Sequence, residues 1–134
     1  MPTNLGRCAA AVLAAGFAAT SVLVPATPAA AAPTISCLYM FTAWPNGFIA
    51  DLYITNYGPV INGWTARWTF NESIANLAVW QAIMTVRNGH EAIATNMPFN
   101  ATIQTGQTAM FGWSATTFTP ASTPTDITVN GVPC

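Results

Sequence analysis

The side chains able to do bond-making chemistry in this 134-residue chain are few: four carboxylates, Asp51, Glu72, Glu91 and Asp126, and one histidine, His90. Hydrolysis of a glycosidic bond would need two carboxylates flanking a cleft, one with a raised pKa. All four read instead as strand-exterior, turn or hairpin-flank positions. A domain of about 100 residues also leaves little room for a groove that encloses a substrate. His90 follows Asn88-Gly89 and reads as a solvated turn residue without catalytic partners. There is no glycine-rich phosphate loop and no grouping at metal-ligand spacing, so neither a metal nor another cofactor is expected and no catalytic residue is assigned.

Aromatic rings are the chemistry that remains. Five tryptophans are present, and they divide by setting. Trp64 and Trp68 alternate in step with Ala66 and Phe70, and Trp113 in step with Phe111, which is the pattern of a buried strand face. Trp44 lies in Ala43-Trp44-Pro45-Asn46-Gly47-Phe48, a turn sequence. Trp80 follows a run of Ala, Asn and Leu without clean alternation, and Phe99 lies in the loop-like Met97-Pro98-Phe99-Asn100-Ala101-Thr102. One ring in such a setting can equally cap the end of a core. Three of them on an uncharged surface favour a binding platform. Flat rings match the apolar C–H faces of sugars, while short polar side chains serve the hydroxyl rims. By analogy with base stacking, each ring would contribute about 1–3 kcal/mol.

The charge balance narrows the partner further. Charged residues make up 5% of the chain, net charge is −1, and lysine is absent. Nucleic acid and anionic membranes both require clustered basic residues, so neither is an expected partner. The partner should be uncharged: a sugar, or, as an alternative, a protein surface contacted by the same rings. At the start of the chain, Arg7 precedes an apolar run from Cys8 to Val24, then Pro25, Pro28 and the small residues Ala29 to Ala32. A charged head, an apolar middle and a small-residue stretch make a secretory signal peptide, residues 1–31, removed near Ala31. The run is Ala-rich and short for a membrane span. A secreted, extracellular domain of residues 32–134 remains, expected to act as a monomer. It keeps Cys37 and Cys134, and an even pair in an exported chain reads as a disulfide. Closing so long a loop would stabilise by up to about 4–5 kcal/mol in the chain-entropy model.

Strands must position these groups. Phe48, Ala50, Leu52 and Ile54 alternate with Ile49, Asp51, Tyr53 and Thr55; Trp64 to Phe70 and Ala109 to Ser114 alternate likewise. Asn88-Gly89 between two β-rich runs predicts a hairpin, and Ile127 to Val132 reads as a further strand. No segment after the leader has helical periodicity. The fold class is therefore all-β, an antiparallel sandwich or barrel in one domain.

The motifs together resemble the family 2 carbohydrate-binding modules of bacterial cellulases, xylanases and chitinases. The residues that carry the likeness are Trp44-Pro45-Asn46-Gly47-Phe48, Ile54-Thr55-Asn56, Asn62-Gly63-Trp64-Thr65, Trp68-Thr69-Phe70 and Trp80. Asn96-Met97-Pro98-Phe99-Asn100, Phe111-Gly112-Trp113 and Asn130-Gly131-Val132-Pro133-Cys134 complete it. The resemblance implies an immunoglobulin-like β-sandwich (or flattened barrel) with a terminal disulfide, and a planar face of three aromatics that docks on cellulose or chitin. The three positions fall on Trp44, Trp80 and Phe99, with Phe99 where the family usually carries Trp. Gly47 resembles the branch whose first ring lies flat. Asp51 and Ser114, outward on their strands, fall where the family often has side-chain amides and are candidate polar contacts. Met110, also outward, is not counted as a ligand.

Overall fold

The computed structural model describes residues 15–25 and 34–134. The charged head of the expected leader and the cleavage stretch around Ala31 lie outside the described residues. Residues 15–25 form neither helix nor strand, and among the described residues no helix is long and apolar enough to cross a membrane.

Residues 34–134 fold as strands β1 (Ile35–Trp44), β2 (Gly47–Asn56), β3 (Ile61–Asn62), β4 (Thr65–Thr69), β5 (Ile74–Trp80) and β6 (Ala82–Arg87). They continue as β7 (Glu91–Asn96), β8 (Thr102–Ile103), β9 (Thr108–Thr117), β10 (Thr128–Val129) and β11 (Val132–Pro133), with a single 3-10 turn at Pro98–Asn100. A four-stranded sheet runs β1-β2-β9-β5, a five-stranded sheet runs β11-β10-β4-β7-β6, and β3 pairs with β8 in a small separate ladder. All pairings are antiparallel. The two sheets stack as a sandwich and stay unclosed at their edges.

Period-two alternation explains the core. Phe48, Ala50, Leu52 and Ile54 of β2, Ala66 and Trp68 of β4, and Ala109, Phe111, Trp113 and Ala115 of β9 are all buried. Facing rings interlock between the sheets: Trp64 stacks on Phe111 at 5.1 Å and Trp68 meets Trp113 at 4.9 Å between ring centres. Truncating any of these tryptophans to alanine costs about 3–5 kcal/mol through lost burial and the cavity left behind. The expected core assignment of Trp64, Trp68 and Trp113 holds.

Turn chemistry behaves as expected in one place and corrects the reading in another. Asn88 and Gly89 adopt left-handed φ values of 52° and 71° and fold β6 onto β7, as Asn-Gly pairs do in hairpins. Ile127 to Val132, however, is not one strand. Asn130 and Gly131, at φ 50° and 78°, turn the chain so that Val129 of β10 pairs with Val132 of β11. The second Asn-Gly pair outweighs the β propensity of its flanks.

Cys37 and Cys134 are bonded, with Cα atoms 5.3 Å apart and a sequence separation of 97. Cys37 lies in β1 of one sheet and Cys134 directly follows β11 of the other. The bond thus joins the two layers as well as the two ends of the domain.

Candidate functional site

The outward face of the four-stranded sheet is fixed by register. Residues directly opposite in an antiparallel ladder share a face, so one transverse row holds Trp44, Gly47 and Thr116 and a second holds Met40, Asp51, Gly112 and Trp80. The row between them contains Thr42, Ile49, Ser114 and Ala78. Trp44 and Trp80 therefore emerge from opposite edges of the sheet onto the same surface.

Both rings reach in over the sheet, and a glycine makes room for each. A Cβ on Gly47 would stand 3.1 Å from Nε1 and 3.3 Å from Cε2 of Trp44. A Cβ on Gly112 would fall closer to Nε1 and Cε2 of Trp80, and to Oδ1 of Asp51, than real Cβ atoms approach. Each indole lies over the glycine opposite it in the register row, Trp44 over Gly47 on the adjacent strand and Trp80 over Gly112. The two glycines are four residues apart in the β9 frame, or about 13 Å along the strand direction. Neither ring joins the aromatic contacts of the core, and Trp44 keeps 47% of its surface exposed while Trp80 is half-buried.

Trp44 is not in a loop, as its turn-like sequence suggests, but is the last residue of β1, with Pro45-Asn46 forming the turn into β2. Trp80 is likewise the last residue of β5 and faces outward because of a bulge. Ala75 pairs with Thr116 but Ala78 pairs with Ser114, so the segment between them carries an extra residue. Asn76 sits there at φ 52°, its amide donating to Thr116 Oγ1 at 2.9 Å. Counting by twos from buried Ile74 would send Trp80 into the core. The added residue reverses the parity.

Phe99 stands in the 3-10 turn and is 72% exposed. Asn100 holds that turn in place. Its Oδ1 accepts the Met97 backbone N–H at 2.8 Å, and its Nδ2 donates to the Gln81 carbonyl at 2.7 Å, next to Trp80. Its own carbonyl accepts Trp64 Nε1 at 2.9 Å, tying the turn to the core. Phe99 is thus attached at the end of β5 where Trp80 lies.

Among the candidate polar groups, Asp51 and Ser114 are half-buried on this same outward face, Asp51 with its carboxylate beside the Trp80 indole. Met110 is on the face too, opposite Tyr53, and Leu38 completes their row. Leu38, Met40, Ile49 and Tyr53 add apolar and aromatic surface to this face, and their shared parity with Asp51 is the sequence signal for it.

The remaining titratable groups are dispersed. Glu72 departs from its expected exterior setting: it is buried, with Oε1 accepting the Ser122 hydroxyl at 2.6 Å and Oε2 unpartnered. The segment after β9 lies against it and removes it from solvent. Burial pushes the Tyr39 phenol well above the usual tyrosine range, and the Glu72 carboxylate adds to the shift. Asp126 accepts the Thr69 backbone N–H at 2.9 Å, and Glu91 lines the same shallow groove on the five-stranded sheet, which carries neither Trp44 nor Trp80. His90 is half-buried, its Nδ1 2.8 Å from the Phe70 carbonyl. Among the described residues no three His, Cys, Asp or Glu side chains are grouped to hold a metal ion.

Against known proteins, the sequence profile described as cellulose binding domain matches residues 35–134, all of the sandwich. The chain belongs to the cellulose binding domain family. Endoglucanase C of Cellvibrio japonicus (strain Ueda107) is 40% identical over 101 residues, covering 73% of this chain and 13% of that protein. Endoglucanase CelA of Streptomyces lividans is 34% identical over 128 residues, covering 92% of this chain and 28% of that protein. The chain therefore spans only a fraction of the length of these relatives. Among solved structures, the chitin-binding domain of Chi18aC from Streptomyces coelicolor superposes with a TM-score of 0.62 at 26% identity, covering 77% of this chain and 96% of that one.

Proposed function

We propose that the chain is a non-catalytic module that holds an insoluble neutral polysaccharide, cellulose or chitin, on the outward face of the four-stranded sheet. Trp44, Trp80 and Phe99 supply the stacking surface; Asp51 and Ser114 supply polar contacts to the sugar rims. The observation that carries this reading is that Trp44 and Trp80 come from opposite edges of the sheet onto one outward face, each reaching over a glycine. Aromatic rings gathered on one face can stack on the apolar C–H faces of sugars. Membership of the cellulose binding domain family supports the same reading, as does the likeness to a chitin-binding domain.

The carboxylates support binding without hydrolysis. Asp51 shares the tryptophan face, Glu72 is buried and committed to Ser122, and Glu91 and Asp126 line the opposite sheet. No two of them flank the aromatic row, as the two-carboxylate mechanism requires. Removal of residues 1–31 on export, and action as a monomer outside the cell, complete the proposal. The Cys37–Cys134 bond fits an oxidising compartment.

The test is adsorption of the purified domain to insoluble cellulose and to insoluble chitin, beside a hydrolysis assay on soluble derivatives of both. Retention on one or both is expected, abolished by Trp44→Ala or Trp80→Ala at unchanged melting temperature, with no product released. Retention unaffected in both variants would remove the platform, and steady release of reducing ends would make the protein an enzyme.

A further inference from the structure

The aromatic row does not end at Trp44. Following β9 along its outward parity gives Thr108, Met110, Gly112, Ser114 and Thr116, and the next residue in that series is Phe118. Phe118 is 95% exposed, directly after buried Thr117. It stands in the bend that directly follows β9. A ring left almost wholly in water adds nothing to the core, and a lone exposed phenylalanine needs no explanation by itself. Its neighbours give it one.

Phe118 forms one wall of a groove of about 410 Å³ lined also by Pro45, Asn46, Ala75, Asn76 and Thr116, over buried Thr117. Pro45 and Asn46 directly follow Trp44, so the groove is continuous with the proposed platform. Thr117 N–H donates to the Asn46 carbonyl at 2.9 Å, fixing the base of Phe118 against the β1–β2 turn. The bulge presents Asn76 here, with Nδ2 donating to Thr116 Oγ1 at 2.9 Å and that hydroxyl donating to the Ala75 carbonyl at 3.1 Å. The Asn76 carbonyl oxygen and the Asn46 amide are in no side-chain hydrogen bond among the described residues. One exposed ring, two side-chain amides with free hydrogen-bonding capacity and no charge are what a pyranose needs: a face to stack on and partners for its hydroxyls.

We infer that Phe118, with Asn46 and Asn76, forms a further sugar subsite that prolongs the binding row beyond Trp44. Its occupant is the next residues of the same neutral glycan chain that lies on Trp44, so the inference rests on the polysaccharide-binding reading above. The row then has stations at Phe99, Trp80, Trp44 and Phe118, running from one end of the four-stranded sheet past the other.

Adsorption isotherms on insoluble cellulose and chitin test this with wild type, Phe118→Ala, Phe118→Trp and Trp44→Ala, each checked for an unchanged melting temperature. Phe118→Ala weakens retention about ten-fold, the effect of losing one stacking ring, and Phe118→Trp binds at least as tightly as wild type. Wild-type retention in Phe118→Ala, with Trp44→Ala lost from the solid, overturns the subsite and leaves the platform standing. Failure of the wild-type protein to adsorb to either solid overturns the platform itself, and the subsite with it.

Discussion

Gly112→Ala isolates the physical step on which the binding face depends. The added Cβ enters the space occupied by the Trp80 indole and the Asp51 carboxylate, both of which are ends of side chains. The ring must lift or rotate while the backbone stays in register. Strain from such a small-to-large change is about 1–3 kcal/mol, and the stiffer unfolded chain returns about 0.4–1 kcal/mol, so the net loss of stability is at most about 2.6 kcal/mol. Binding suffers more. A displaced ring forfeits a stacking contact of about 1–3 kcal/mol, which is a loss of affinity between about five-fold and 150-fold. Gly47→Ala would be a poorer probe, because its Cβ also meets the Ala115 carbonyl at 2.6 Å and would strain the sheet itself. Adsorption isotherms and thermal melts of Gly112→Ala, Trp80→Ala and the double variant form the assay. Because both changes act through one ring, the double variant binds no worse than Trp80→Ala alone. Full retention by Gly112→Ala, where Trp80→Ala has lost it, would show that the ring's seat over Gly112 is irrelevant and refute the reasoning.

Three further outcomes follow from the same structure. Phe99→Trp enlarges an exposed ring at the end of the row and tightens retention by a few-fold; equal or weaker adsorption would place that position outside the site. Reduction of Cys37–Cys134, or its replacement by alanines, frees a 97-residue loop and removes about 4–5 kcal/mol. That loss lowers the melting temperature by about 15 °C or more, and an unchanged melt would contradict it. Tyr39 gives the pH dependence: its phenol ionises later in the folded protein than in the unfolded chain, so its contribution is intact below about pH 10 and is lost as pH rises above it. Stability then declines by up to about 1.4 kcal/mol per pH unit. Denaturation titrations of Tyr39→Phe should show a shallower alkaline decline, and identical slopes would refute the assignment.

What the sequence disclosed depended on how regular each strand is. β2, β4 and β9 are flanked on both sides by other strands, so their inward and outward residues alternate cleanly and Trp64, Trp68 and Trp113 could be assigned to the core. β1 and β5 are the edges of the same sheet. In β1, Leu38, Met40 and Phe41 are all exposed, which blurs the period of two and made Trp44 look like part of a turn. In β5 the bulge changes parity midway, and a bulge of this type leaves no mark beyond an asparagine tolerant of left-handed φ. The glycines under the rings show the same limit. Their presence is plain in the sequence, but which ring each one shelters depends on pairings between residues far apart in the chain. Glu72 was misplaced because its cover, the segment containing Ser122, comes 50 residues later.

The bond between Cys37 and Cys134 also sets how the domain would bear a mechanical load. Tension applied between residues before Cys37 and Cys134 itself meets a covalent link, so it cannot peel β11 or β10 away one hydrogen bond at a time. Along the chain, the same strand that receives this tension at Cys37 ends at Trp44. If Trp44 anchors the module as proposed, a pull entering at Cys37 reaches that ring along one continuous strand.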